Sequence, residues 1–187
     1  MKILLPRISI EIDPNEPFFF LAGPVLGGGD WQHQCCLEIQ KYFPESTIAV
    51  PCPYGSQHPL ASYFVSGGDV VFDDQLSWER HYLEWAAHST NGCLLFWLPC
   101  ESKEYPRVDG NPYAMTTYGE LGEWRGSWKH NHLLNIVIGG EAGFPGLDDI
   151  VANYRAAVDF RFKEFKNMDA LVLAAIRKAR GTTNPVE

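Results

Sequence analysis

Two carboxylates and their neighbours carry most of the chemistry legible in this chain. Glu120 follows Thr116, Thr117 and Tyr118 near the start of a predicted helix. There the helix N-terminus favours its anionic form, and the neighbouring side chains can hydrogen-bond a sugar or a base. An ionised carboxylate beside a ligand cleft is a competent nucleophile toward a carbon with oxocarbenium character. Glu79, preceded by Trp78, falls in the first turns of the preceding helix. Taken singly, each is a glutamate of the kind found near many helix starts. Taken together at one edge of a sheet, they have the form of the paired carboxylates that perform glycosyl transfer.

Other groups near that edge point to a small ligand. The segment Gly23-Pro24-Val25-Leu26-Gly27-Gly28-Gly29-Asp30 joins a predicted strand to a helix, the place where backbone N–H groups cradle anions. It is neither GxGxxG nor a Walker sequence, which disfavours nucleoside triphosphate hydrolysis. Asp30 at the helix start opposes a phosphate and suits a hydroxyl-rich ligand. Trp31, Tyr54, Trp78, Trp97, Tyr113 and Tyr118 offer faces on which purines and pyrimidines stack, although Trp97 and Trp85 also read as core. The six His residues show no metal-ligand spacing, and His81 reads as a surface or packing residue. The cysteines (Cys35, Cys36, Cys52, Cys93, Cys100) are odd in number and form no CxxC pair. That argues against a disulfide framework or a zinc site and for thiols in a reducing cytoplasm.

The elements that must position these groups alternate along the chain. Residues 18–22, 48–50, 93–98 and 134–138 read as short buried strands, and Val158, Phe160 and Phe162 alternate as a fifth would. Helices are predicted over residues 31–43, capped by Asp30 with Leu37 and Ile39 inward; 75–87, capped by Asp74; and from Thr116 or Thr117 to about 129. Two more start at Asp148 or Asp149 and at Asn167, the last ending before Gly181. Gly119, Gly122 and Gly126 recur on one stripe of the third helix and suggest close approach of another backbone. Residues 51–74, rich in Pro, Gly and Ser, read as a long excursion. The pattern implies an open, mainly parallel five-stranded α/β sheet with helices on both faces, flavodoxin-like or Rossmann-like, as one domain over residues 1–187. In such folds ligands bind beyond the carboxyl ends of the strands.

Composition narrows the partners. With 15 Lys and Arg against 23 Asp and Glu, the chain carries a net charge of −8, so a nucleic-acid polymer is disfavoured. An uncharged nucleoside suits that balance better than a nucleotide. At 45% hydrophobic residues the chain is too apolar for disorder, yet no run approaches a membrane span and the N-terminus lacks a signal-peptide core.

Five motifs in order carry a resemblance. Residues 20–24 (FLAGP), 30–32 (DWQ), 75–79 (QLSWE) with Leu83, 94–99 (LLFWLP) and 116–122 (TTYGELG) resemble the nucleoside 2-deoxyribosyltransferase-like family, over roughly residues 18–140. The resemblance implies a flavodoxin-like fold, cleavage of a nucleoside N-glycosidic bond through a covalent sugar–enzyme intermediate, and no cofactor or metal. It maps the nucleophile onto Glu120, with one extra residue after Thr117, and assigns Glu79 to orienting the sugar or assisting proton transfer to the leaving base. Gly23 and Pro24 would lie along the nucleoside. Family members commonly complete their sites across subunits, so a homo-oligomer is expected. Departures occur at residues 88–92, at Cys52-Pro53-Tyr54-Gly55 in place of a basic residue, and along residues 57–73. These bear on base, sugar and acceptor more than on the nucleophile. Deoxyribosyl transfer between bases, hydrolysis of a nucleoside or nucleoside 5′-monophosphate, and a non-catalytic nucleotide-binding module are the readings carried forward.

Overall fold

Apolar runs too short for helices build the centre of the molecule. The structure, a computed structural model, describes residues 1–66 and 72–181. Its strands are β1 (Lys2–Leu4), β2 (Phe18–Ala22), β3 (Thr47–Ala49), β4 (Gly92–Leu98) and β5 (Ile136–Gly140). They form one parallel sheet in the order β1-β3-β2-β4-β5. Every residue of β2 to β5 is buried, as a parallel sheet covered on both faces requires.

Alternation along β2 shows how the layers are made. Phe18, Phe20 and Ala22 join the cluster formed with α2 (Gln75–His88), α3 (Met115–His130) and α4 (Leu147–Ala157), whereas Phe19 and Leu21 join that of α1 (Trp31–Tyr42) and α5 (Met168–Ala179). The result is a three-layer α/β architecture of flavodoxin-like type. The chain leaves β2 for α1 on one face and leaves β4 for α3 on the other. The carboxyl ends of these paired strands therefore flank a crevice, where ligands sit in open α/β sheets.

Several expectations change in detail. The fifth strand is Lys2–Leu4, not residues 158–162. Lys2–Leu4 is short and stopped by Pro6, which hid it, whereas Val158 and Phe162 are apolar because they pack as a loop beneath α4, with Phe162 stacked on Tyr154 at 5.0 Å. Phe160 is 81% exposed. Leu37 also faces outward, while Ile39 is fully buried.

Helix starts differ from expectation too. Asp74 and Asn167 cap α2 and α5 through Ser77 and Ala170 N–H groups. Asp30 makes no capping bond. Ala114 and Gly146, both left-handed, precede α3 and α4, so Thr116, Thr117, Asp148 and Asp149 lie inside first turns. Gly119, Gly122 and Gly126 face open space, with no second backbone against them among the described residues.

Part of the excursion over residues 51–74 is ordered onto the sheet edge. It contains the 3-10 turn Ala61–Tyr63, the buried Leu60, and Phe64 bridged to Ile3, while residues 67–71 lie outside the described residues. Among the described residues no helix is long and apolar enough to cross a membrane.

Candidate active site

A cavity of about 300 Å³ opens at the carboxyl ends of β2 and β3, within the size range of small-ligand sites. Phe20, Ala22 and Gly23 form its floor, Pro24 to Leu26 and Pro51 its loops, Gln75, Leu76 and Glu79 the α2 wall, and Ala114, Thr116, Thr117 and Glu120 the α3 wall. Glycine at position 23 is a steric necessity. Its φ is +145°, and a Cβ there would stand 2.2 Å from the Trp97 carbonyl oxygen, so a side chain would push the loop off the end of β4.

Glu79 and Glu120 face this space from two different helices. Glu79 is positioned by Gln75, whose Nε2 donates to Glu79 Oε1 at 2.7 Å and to the Pro51 carbonyl at 3.1 Å. One amide thus ties α2 to the end of β3 and aims the carboxylate. Among the described residues, no hydrogen bond or ion pair engages the Glu120 carboxylate. Desolvation, then the like charges of Glu79 and Glu123, push its pKa up to about 7 against the opposing pull of Arg80. Burial likewise raises Glu79, with the Gln75 hydrogen bond opposing.

This reverses the sequence expectation that the helix N-terminus holds Glu120 as an anion. α3 begins at Met115, which puts Glu120 in the second turn, where the terminal field has faded and burial prevails. Beside the pair, between α2 and α3, a crevice of about 40 Å³ is lined by both glutamates with Arg80, Glu123 and Trp124. Arg80 pairs with Glu123 there at 2.8 Å.

The expected site residues separate into two groups. Gly23, Pro24, Glu79, Thr116, Thr117 and Glu120 converge on the cavity. Trp78 does not reach it: the ring is fully buried, and its Nε1 donates to the Ile8 carbonyl at 2.8 Å. Trp97, 5% exposed, packs in the α1/α5 layer. Trp31 is buried too and braces the loop by donating from Nε1 to the Pro24 carbonyl. Tyr118 donates to the Pro145 carbonyl and lines a separate groove between α3 and α4. Asp30 lies outside the cavity beside His33 and Tyr54.

The expected aromatic wall is therefore absent from the described lining. Its one ring is Phe20, accompanied by the exposed Leu26 and Leu76. Sequence reading passed over Phe20 as core and gave no role to Gln75 or Arg107. Arg107 is the only cationic side chain among the described lining residues, held by Asp109 at 2.6 and 2.8 Å and donating to the Pro112 carbonyl at 3.2 Å. It comes from the loop after β4 and sits in no recognisable motif. The Gln75–Glu79 spacing of four was the one available signal, since side chains four apart meet on a helix.

Chemically, the cavity offers one carboxylate with no protein partner, a second that is oriented, two threonines and an apolar floor. No protein-family model matches the chain, and no curated protein matches it.

Proposed function

We propose that this protein cleaves the N-glycosidic bond of a nucleoside and transfers the sugar, a 2-deoxyribosyl group, to a second nucleobase through a covalent sugar–Glu120 intermediate. The observation that carries this reading is the Glu120 carboxylate: largely desolvated, without a protein partner, and facing the same cavity as the oriented Glu79. The resemblance of five ordered motifs to nucleoside 2-deoxyribosyltransferase-like proteins supports the substrate class.

In this mechanism a Glu120 oxygen attacks the anomeric carbon as the C–N bond breaks, and the bonding pair leaves with the base nitrogen. The departing base takes up a proton, which Glu79 assists or supplies. A second base then attacks from the opposite face, expels the Glu120 carboxylate and loses a proton, so two inversions give net retention. Thr116 and Thr117, on the α3 wall, would hydrogen-bond the sugar, and Phe20 with Leu26 and Leu76 would cover apolar surface of the nucleoside. Each step is proton and carboxylate chemistry, which these side chains supply.

Hydrolysis is the second reading. It is supported by a groove between α2 and α3 that reaches both glutamates and is bordered by the exposed Arg80 and Glu123, a route for water to the pair. Incubating the protein with a deoxynucleoside, with and without a second free base, separates the two. Transfer predicts an exchanged nucleoside and faster base release when the acceptor is present. Base release indifferent to acceptor, with no exchanged nucleoside, selects hydrolysis. Ligand binding without turnover under either condition removes catalysis altogether.

A further inference from the structure

A second polar cluster lies on the other side of the Gly23–Asp30 loop and contributes nothing to the cavity. Asp30, at the start of α1, meets His33 one turn along it and His58 from the excursion after β3. We propose that these three side chains form a binding site for one divalent transition cation of the zinc type.

The geometry carries the proposal. One ligand atom from each residue falls within 4.8 Å of the others. His33 Nδ1 is 2.8 Å from Asp30 Oδ2, and His58 Nε2 is 3.9 Å from Asp30 Oδ1. A tetrahedral ion with bonds of about 2.0–2.1 Å to nitrogen and oxygen holds its ligands about 3.3 Å apart, and the His33 and His58 nitrogens, which approach opposite oxygens of Asp30, lie on either side of that spacing. The imidazole rings lie at 69° with centroids 5.0 Å apart, edge to face rather than stacked, so that ring nitrogens of both reach the carboxylate. Two imidazoles and one carboxylate match zinc and its neighbours, whereas calcium and magnesium call for an all-oxygen set.

The cluster is supported behind and open in front. His58 lies flat against Tyr54 at 3.7 Å and 12°, with Phe64 beyond. The His33 and His58 side chains are 19% and 14% exposed, against 57% for Asp30. That leaves the carboxylate side accessible to an entering ion and to water as a fourth ligand. Coordination through His58 Nε2 puts the ring proton on Nδ1, which in this structure accepts from the Leu60 N–H at 3.2 Å. Loading therefore opens that contact and resets the turn before Leu60. The bound ion would fasten the excursion to α1.

The site was invisible as a spacing motif, because His58 is brought to Asp30 and His33 only by the parallel pairing of β2 with β3. The test is calorimetric titration of the full-length apo protein with zinc chloride, repeated on His33→Gln, His58→Ala and Cys52→Ser. Matched thermal melts without metal establish that each variant is folded. The expected result is one equivalent bound, an affinity lowered at least about 100-fold in both histidine variants and unchanged in Cys52→Ser, and a shift of the Leu60 amide resonance on loading. Absence of stoichiometric binding, binding that survives both histidine substitutions, or binding lost with Cys52 would overturn the proposal.

Discussion

Two carboxylates at the same sheet edge, Glu120 and Asp30, illustrate how differently one fold can treat one chemical group. Both stand near helix starts, on either side of the loop that leaves β2. Glu120 has no hydrogen-bond or ion-pair partner among the described residues, and its pKa is pushed up to about 7 by burial and by Glu79. Asp30 is exposed and engaged, with His33 at 2.8 Å, Tyr54 at 3.5 Å and His58 at 3.9 Å. The first arrangement leaves a charge whose missing interactions a substrate can supply. The second holds side chains from distant segments together, which suits a structural or ion-binding role.

The largest expected effect tests this contrast directly. Glu120→Gln keeps the shape of the side chain and removes the proposed nucleophile, so kcat/KM for deoxynucleoside cleavage should fall by at least about 10³-fold. Asp30→Asn should change it less than about 3-fold, because Asp30 does not line the cavity. Comparable losses in steady-state assays of both variants would erase the distinction.

Next in size is Glu79→Gln, expected to lower kcat/KM by about 10²-fold, the lower range for removing a group that assists proton transfer. The same variant sharpens the electrostatic account. Since Glu120 must be ionised to attack, kcat/KM of the wild type should rise with pH through about 7. Removing the like charge of Glu79 should move that rise to lower pH. A wild-type profile that falls through the same range would make Glu120 the proton donor and leave Glu79 as the nucleophile.

The smallest effect is on stability. Because burial raises Glu120 above its ordinary value, its contribution is fully present below pH 4.5 and is lost as pH rises through about 7. Glu120→Gln mimics the neutral acid, so denaturant melts should show it more stable than wild type at pH 8, by on the order of 2 kcal/mol, with the difference vanishing near pH 4. An unchanged difference at the two pH values would mean that packing, rather than charge, sets the effect.

Much of this was legible in the sequence because the groups that set it are local. Short apolar runs ended by Gly or Pro announced β2 and its neighbours, and Asp74 and Asn167 announced their helices through side-chain caps. Glu79 and Glu120 could be placed at one edge because each follows a strand of the same parallel sheet. What remained hidden depends on long-range packing. The three-residue β1 is a strand only because β3 lies beside it, and Trp78 looks like a ligand platform until Phe20 and Tyr82 close around it. Gln75 joined the site through a hydrogen bond to Pro51, 24 positions away. Residues 158–162 misled because alternating apolar residues can pack as a loop beneath a helix as well as in a sheet.

The central claim is that Glu120 becomes covalently bonded to a sugar. Its most direct measurement is mass spectrometry of peptides from protein quenched during incubation with deoxynucleosides. The account predicts a deoxyribosyl adduct on the peptide bearing Glu120, absent from Glu120→Gln and discharged when a second base is added. An adduct on Glu79 instead, or wild-type rates of base release by Glu120→Gln, would contradict it.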